Sequence, residues 1–78
     1  EEVNLNRKGV MGLSYAKGRN ELAITAEKAV ILLDADSLEL KEVLKSLAKG
    51  NYGLCYSHDE KTLALASADK RVRIWELD

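Results

Sequence analysis

Leu54-Cys55-Tyr56-Ser57-His58-Asp59-Glu60-Lys61-Thr62-Leu63-Ala64-Leu65-Ala66-Ser67-Ala68-Asp69-Lys70-Arg71-Val72-Arg73-Ile74-Trp75-Glu76-Leu77-Asp78 is the stretch on which the fold turns. Leu54 and Tyr56 alternate with Cys55, the period of a half-buried strand. His58 to Lys61 is polar and of hairpin length. Leu63 to Ser67 is apolar but too short for a free-standing helix. After a tight turn at Asp69-Lys70, Val72, Ile74 and Leu77 bracket Arg71, Arg73 and Glu76. Strands of five or six residues recurring every ten or so residues predict antiparallel all-β structure.

The same pattern occurs earlier in the chain. Gly12-Leu13-Ser14-Tyr15 aligns with Gly53-Leu54-Cys55-Tyr56 at an offset of 41, and Lys8-Gly9 with Lys49-Gly50. Leu22-Ala23 aligns with Leu63-Ala64. One residue near Ala66 then has no counterpart. From there Thr25 to Val30 aligns with Ser67 to Val72, and Asp34-Ala35-Asp36 with Glu76-Leu77-Asp78, at an offset of 42. The chain therefore reads as two copies of a unit of about 41 residues, unit one over about 6–46 and unit two over about 47–78.

Ser37 to Ala48 has two readings. Leu40, Val43, Leu44 and Leu47 recur at helical spacing behind an N-cap-like Ser37. Leu38, Leu40, Glu42 and Leu44 also alternate as a strand would, and the repeat context favours a fourth, outer strand.

The chain has 78 residues, enough for one small domain. A domain this small buries only roughly 60% of its unfolded surface, so its core is thin. Twelve Lys and Arg against thirteen Asp and Glu leave a formal charge of −1. That balance supplies no general pull toward nucleic acid or an anionic membrane. Cys55, the single cysteine, makes no internal disulfide and suits a reducing compartment. No apolar run exceeds Ala29 to Leu33, too short for a transmembrane segment or signal-peptide core. A chain that starts at Glu1 rather than Met reads as a processed or excised piece.

Leu54 to Asp78 resembles a WD-repeat unit. That family runs apolar strand, aromatic-Ser, polar turn, a second strand ending Ser-x-Asp, and a third strand ending Trp-Asp. Here the last pair is Trp75-Glu76, and unit one has Leu33-Asp34 at that place. The resemblance implies two four-stranded antiparallel blades of a β-propeller, an incomplete ring. Ser67, Asp69 and Trp75 match three of the four positions of the family's structural hydrogen-bond set, while its loop histidine is missing. Unit one offers Thr25 and Glu27 there. The family's strand order makes Glu1 to Leu5 an outer strand, placed to pair beside Val72 to Leu77 of another chain or of a missing segment. Both faces of each sheet are apolar, so two blades leave two faces uncovered and imply further blades, from a longer parent chain or from copies of the same chain.

The chemistry-bearing residues read blandly. His58 has no nucleophile or acid at useful spacing and reads as a solvated turn residue. One Cys and one His fall short of a zinc set, and Cys55 reads as a small buried side chain. Asp34, Asp36 and Glu39 lack the glycine and terminal glutamate of a calcium loop and read as a polar turn. The Lys17-Gly18-Arg19 and Arg7-Lys8-Gly9 glycines precede no helix, so they read as turn glycines rather than phosphate cradles. Lys70, Arg71 and Arg73 are offset by Glu60, Asp69 and Glu76. Trp75 reads as core. No catalytic set, metal or cofactor is expected, and the chain is read as a non-enzyme.

Propellers of the resembled family engage partners at one rim, formed by the outer-to-inner and second-to-third strand connections. Carried over, this selects Arg7, Lys8, Met11, Glu27 and Lys28 in unit one, and Lys49, Asn51, Tyr52 and Lys70 in unit two. Met11 and Tyr52 stand just before the inner strands. The expected function is a non-catalytic protein–protein interaction scaffold, cytoplasmic or nuclear, displaying loops on rigid sheets. A self-assembling or designed half-propeller, whose activity is oligomerisation into a six- or eight-bladed ring, is the alternative. A phosphoinositide site at Arg71 and Arg73 is a more distant one.

Overall fold

The computed structural model describes residues 5, 7, 9, 10, 12–45, 51–68 and 70–77. These form seven strands: β1 Leu13–Ala16, β2 Glu21–Ala26, β3 Ala29–Asp34, β4 Leu40–Lys45, β5 Asn51–Tyr56, β6 Thr62–Ser67 and β7 Val72–Glu76. The described residues contain no helix, and so none long and apolar enough to cross a membrane. Sheet 1 has the order β1-β2-β3-β4 and sheet 2 the order β5-β6-β7, all pairings antiparallel. The expected second set of four strands is thus three among the described residues. Residues 1–4 of the expected outer strand lie outside them. Leu5 is not in a strand: it packs on sheet 1 against Ala26, Ala29, Ile31 and Leu33.

The ambiguous segment is the strand β4, as the repeat implied; residues 46–48 lie outside the described region. Simple alternation from Leu38 to Leu44 does not hold, however. Leu38 is a turn residue at φ +62. The β3–β4 register then shifts, with Leu33 opposite Leu40 but Leu32 opposite Glu42, so Lys41 is an extra residue. This bulge places Leu40 and Val43 on one face and Leu44 on the other, because each one-residue slip in a strand exchanges faces. Both faces of β3 are apolar, and β4 contributes to each.

The two hairpins differ in length where the sequence copies lose step. Glu27-Lys28 joins β2 to β3 in two residues, whereas four residues, 68–71, stand between β6 and β7, with Ser67 N donating to Arg71 O at 3.0 Å. Lys28 and Lys70 both take positive φ, +62 and +68. Ala23 opposite Leu32 corresponds to Ala64 opposite Ile74, and Thr25 opposite Val30 to Ala66 opposite Val72. The unmatched residue therefore lies in the turn, not in the strand. Thr25 is structurally equivalent to Ala66 rather than to Ser67, and Ser67 lies on the opposite face.

The sheets pack face to face around Ala23, Val30, Leu32, Leu63 and Leu65, flanked by Leu44, Leu54, Tyr56, Trp75 and Leu77. Burying each of the large aliphatic side chains contributes about 1.5–3 kcal/mol. The contact is not symmetric. Sheet 1 uses the face of Ser14, Ala23 and Leu32, whose equivalents in sheet 2 are Cys55, Ala64 and Ile74. Sheet 2 uses the face of Tyr56, Leu63 and Trp75, whose equivalents in sheet 1 are Tyr15, Leu22 and Leu33. The front of one unit thus meets the back of the other.

This front-to-back packing leaves one face of each kind outward. On sheet 2 it carries Gly53, Cys55, Ala64, Ala66, Val72 and Ile74, with Val72 and Ile74 each 67% exposed. On sheet 1, Leu13 is 65% and Tyr15 56% exposed, while Leu5 covers the β3–β4 half. Among the described residues no strand pairs with the outer edge of β7.

Candidate functional site

Alternation along β2 carries Glu21, Ala23 and Thr25 to the face that meets sheet 2, so a carboxylate enters the interface beside apolar neighbours. Glu21 is only 1% exposed. Its Oε2 accepts from the Tyr56 hydroxyl at 2.6 Å and from Arg19 Nε at 3.1 Å. Its Oε1 meets Lys41 Nζ at 2.8 Å. The β4 bulge is what brings Lys41 to this point. Arg19 Nη1 also donates to the Glu60 carbonyl at 3.4 Å, and the Glu60 carboxylate lies against Gly18, where a Cβ would sit 2.8 Å from Oε1.

The electrostatics follow from this geometry. Burial acts to raise the Glu21 carboxyl, but hydrogen bonds from Lys41, Tyr56 and Arg19, with the Arg19 charge, outweigh it and hold the group below its ordinary value of 4.5. Burial first, then the bond to Glu21, raises the Tyr56 phenol. The carboxylate stays ionised and the phenol stays protonated at neutral pH. Neither is poised for proton transfer, and the cluster acts as a clasp between the sheets.

The same end of the molecule carries two self-capped turns. Asp34 Oδ1 accepts from Asp36 N and Ser37 N, both at 2.9 Å, and these backbone bonds lower its pKa. Asn20 Nδ2 donates to Asp36 Oδ2 at 2.9 Å. The polar turn expected at Asp34 to Glu39 is therefore built from internal bonds. In the β5–β6 turn, Asp59 accepts from Ser57 Oγ at 2.7 Å and Lys61 N at 3.0 Å, and the Ser57 bond leads the lowering of its pKa. His58 is exposed in this turn. Among the described residues no three His, Cys, Asp or Glu side chains group as metal ligands would.

At the opposite end stand the β2–β3 and β6–β7 turns. Lys28 and Lys70 are exposed there, and Glu27 is half-buried. Gly9, at φ +69, passes so close to Glu27 that a Cβ would lie 3.3 Å from its Cβ and backbone N. Arg7 departs from the expected rim: it lines a groove of about 260 Å³ on the outer face of sheet 1, with Leu5, Ile31, Leu33, Leu38, Leu40 and Val43. Lys8, Met11 and Lys49 lie outside the described residues. The backbone of Asn51 and Tyr52 opens β5 rather than preceding it, with a register shift between Asn51 and Gly53.

The hydrogen-bond set implied by the resemblance is spread out. Ser67 is buried at the turn end of β6, while Trp75 pairs with Leu63 at the other end. Four residues of strand, about 13 Å, separate the two rungs. Asp69 lies outside the described residues. Trp75 is half-buried against the inter-sheet core, as expected. Thr25 bonds elsewhere: its Oγ1 accepts from Gly12 N at 2.6 Å, and Thr25 N donates to Gly12 O at 2.9 Å. Cys55 is exposed, contrary to its expected burial, because it shares the outward face with Ala64 and Ile74.

Glu21 and Lys41 belong to no site motif in the sequence, where Arg19 stands only beside a turn glycine and Tyr56 only in the alternation of a strand. The signal for Glu21 was its place in the alternation with Ala23 and Thr25. Compared with protein-family models, curated proteins and solved structures, the chain finds no match.

Proposed function

We propose that the chain is a non-catalytic protein-binding scaffold, two blades of a WD-repeat-like propeller working in the cytosol or nucleus. The observation that carries this reading is the front-to-back packing of two repeat units, with apolar side chains exposed on both outer faces, Val72 and Ile74 on sheet 2 and Leu13 and Tyr15 on sheet 1. A sandwich closed on itself would turn like faces inward; a stack of repeats gains stability from each neighbour interface and leaves terminal faces for further units. The connections at one end, with Glu27, Lys28 and Lys70, supply the loops a partner would meet. The buried polar cluster supports a rigid scaffold, since its bonds tie β2, β4 and β5 together.

The test is a photo-crosslinking residue placed at position 28 or 70, with positions 17 and 61 at the opposite end as controls. The reading expects a discrete protein crosslinked from 28 and 70 and competed by untagged chain. Crosslinks arising only from 17 and 61, or none that compete, would overturn it.

A further inference from the structure

We infer that the chain binds a second copy of itself head to tail, the outer face of sheet 2 in one copy receiving the outer face of sheet 1 in the next. The inference rests on the two-unit stacking reading and names the occupant of the open faces. The existing interface provides its template. Sheet 2 meets sheet 1 through Leu54, Tyr56, Leu63 and Leu65; their equivalents are Leu13, Tyr15, Leu22 and Ile24, which remain exposed or half-buried. Sheet 1 meets sheet 2 through Ala23 and Leu32; their equivalents are Ala64 and Ile74, on the open face. The open face of sheet 2 and the open β1–β2 half of sheet 1 thus copy faces already used, and the two are complementary rather than alike.

One polar contact has a counterpart. The bond from Arg19 Nη1 to the Glu60 carbonyl has none, because its equivalent sets the Glu60 side chain of one copy beside the Arg19 carbonyl of the next. Tyr15 takes the part of Tyr56, and Thr62 that of Glu21, which gives the Tyr15 hydroxyl a hydroxyl partner. Contacts of this unlike-faced kind close into rings when the rotation per copy allows. Trp75 of the existing interface corresponds to Leu33, which Leu5 already covers, so the copy-on-copy contact is carried by the β1–β2 half of sheet 1.

The experiment compares three full-length chains by native mass spectrometry and sedimentation: wild type, L13E/Y15E and V72E/I74E. Single-site Y15E and I74E chains stand in should a double variant lose its far-ultraviolet β spectrum. Wild type is expected to self-associate, and each variant alone to weaken this by about 100-fold or more, because a carboxylate is buried without a partner. Mixing the two variants is expected to restore a one-to-one complex, since each retains the face the other lacks. Wild type that stays monomeric at every concentration overturns the copy-on-copy contact and leaves the scaffold reading standing. Association lost in V72E/I74E but kept in L13E/Y15E, with no complementation on mixing, marks a two-fold contact and overturns both.

Discussion

Glu21→Ala is expected to lower the folding free energy by about 2–4 kcal/mol, the cost of leaving buried polar partners unmet. For a domain of this size that corresponds to a drop in melting temperature of roughly 10–25 °C. The effect is large because three donors converge on one carboxylate: Tyr56 at 2.6 Å, Lys41 at 2.8 Å and Arg19 at 3.1 Å. It also has a pH signature. The folded carboxyl titrates below its ordinary value of 4.5, so its contribution is complete above that value and disappears as pH falls through the lowered one. The stability difference between wild type and Glu21→Gln, followed by chemical denaturation, should therefore shrink on acidification below about pH 4.5. Asp34 and Asp59 are lowered too, which is why the difference between the two chains is the quantity to follow. Tyr56 acts at the other limit. Its phenol is raised, so it favours the fold below its unfolded value of about 10 and loses that contribution as pH rises. A difference that does not change with acid would show that the clasp is not ionised in the fold.

Leu63→Ala is expected to cost about 2–5 kcal/mol, the transfer free energy of the side chain plus the cavity left behind. Leu63 has no accessible surface, and it packs with Ala23, Val30 and Leu32 across the interface. Leu40→Ala should cost less than about 1 kcal/mol, because Leu40 is exposed on the outer face of sheet 1. Denaturation midpoints and slopes for the two variants measure this directly. Equal costs would mean that the core does not lie between the sheets.

Much of the fold was legible because its signals are periodic. Leu54 to Tyr56 and Val72 to Leu77 carry the two-residue period of strands, while Leu63 to Ser67 and Ala29 to Leu33 are short apolar runs bounded by turns. The repeat also favoured a strand within Ser37 to Ala48, where helical and strand spacings coincide, and Leu40 to Lys45 form one. The details that failed depend on single residues. An unmatched residue placed in a strand or in a turn scores alike in an alignment, yet it decides whether Thr25 faces Gly12 or stands where Ser67 does. Cys55 looked like a core residue because alternation tells which residues share a face, not which face another sheet covers. The Glu21 cluster was hidden for a related reason. Arg19 with Glu21, Lys41 and Tyr56 come from three separate segments, and the β4 bulge that aims Lys41 leaves no mark in composition.

The most direct measurement of the front-to-back stack is a set of methyl nuclear Overhauser effects in the full chain. The stack is expected to give cross-peaks from the Leu63 and Leu65 methyls to those of Ala23, Val30 and Leu32, and none joining Val72 or Ile74 to that group. Contacts between two copies would link Val72 and Ile74 instead to Leu13 and Tyr15. Cross-peaks from Ile74 to Ala23 or Leu32 would mean that like faces meet, and would contradict the stacked-repeat account.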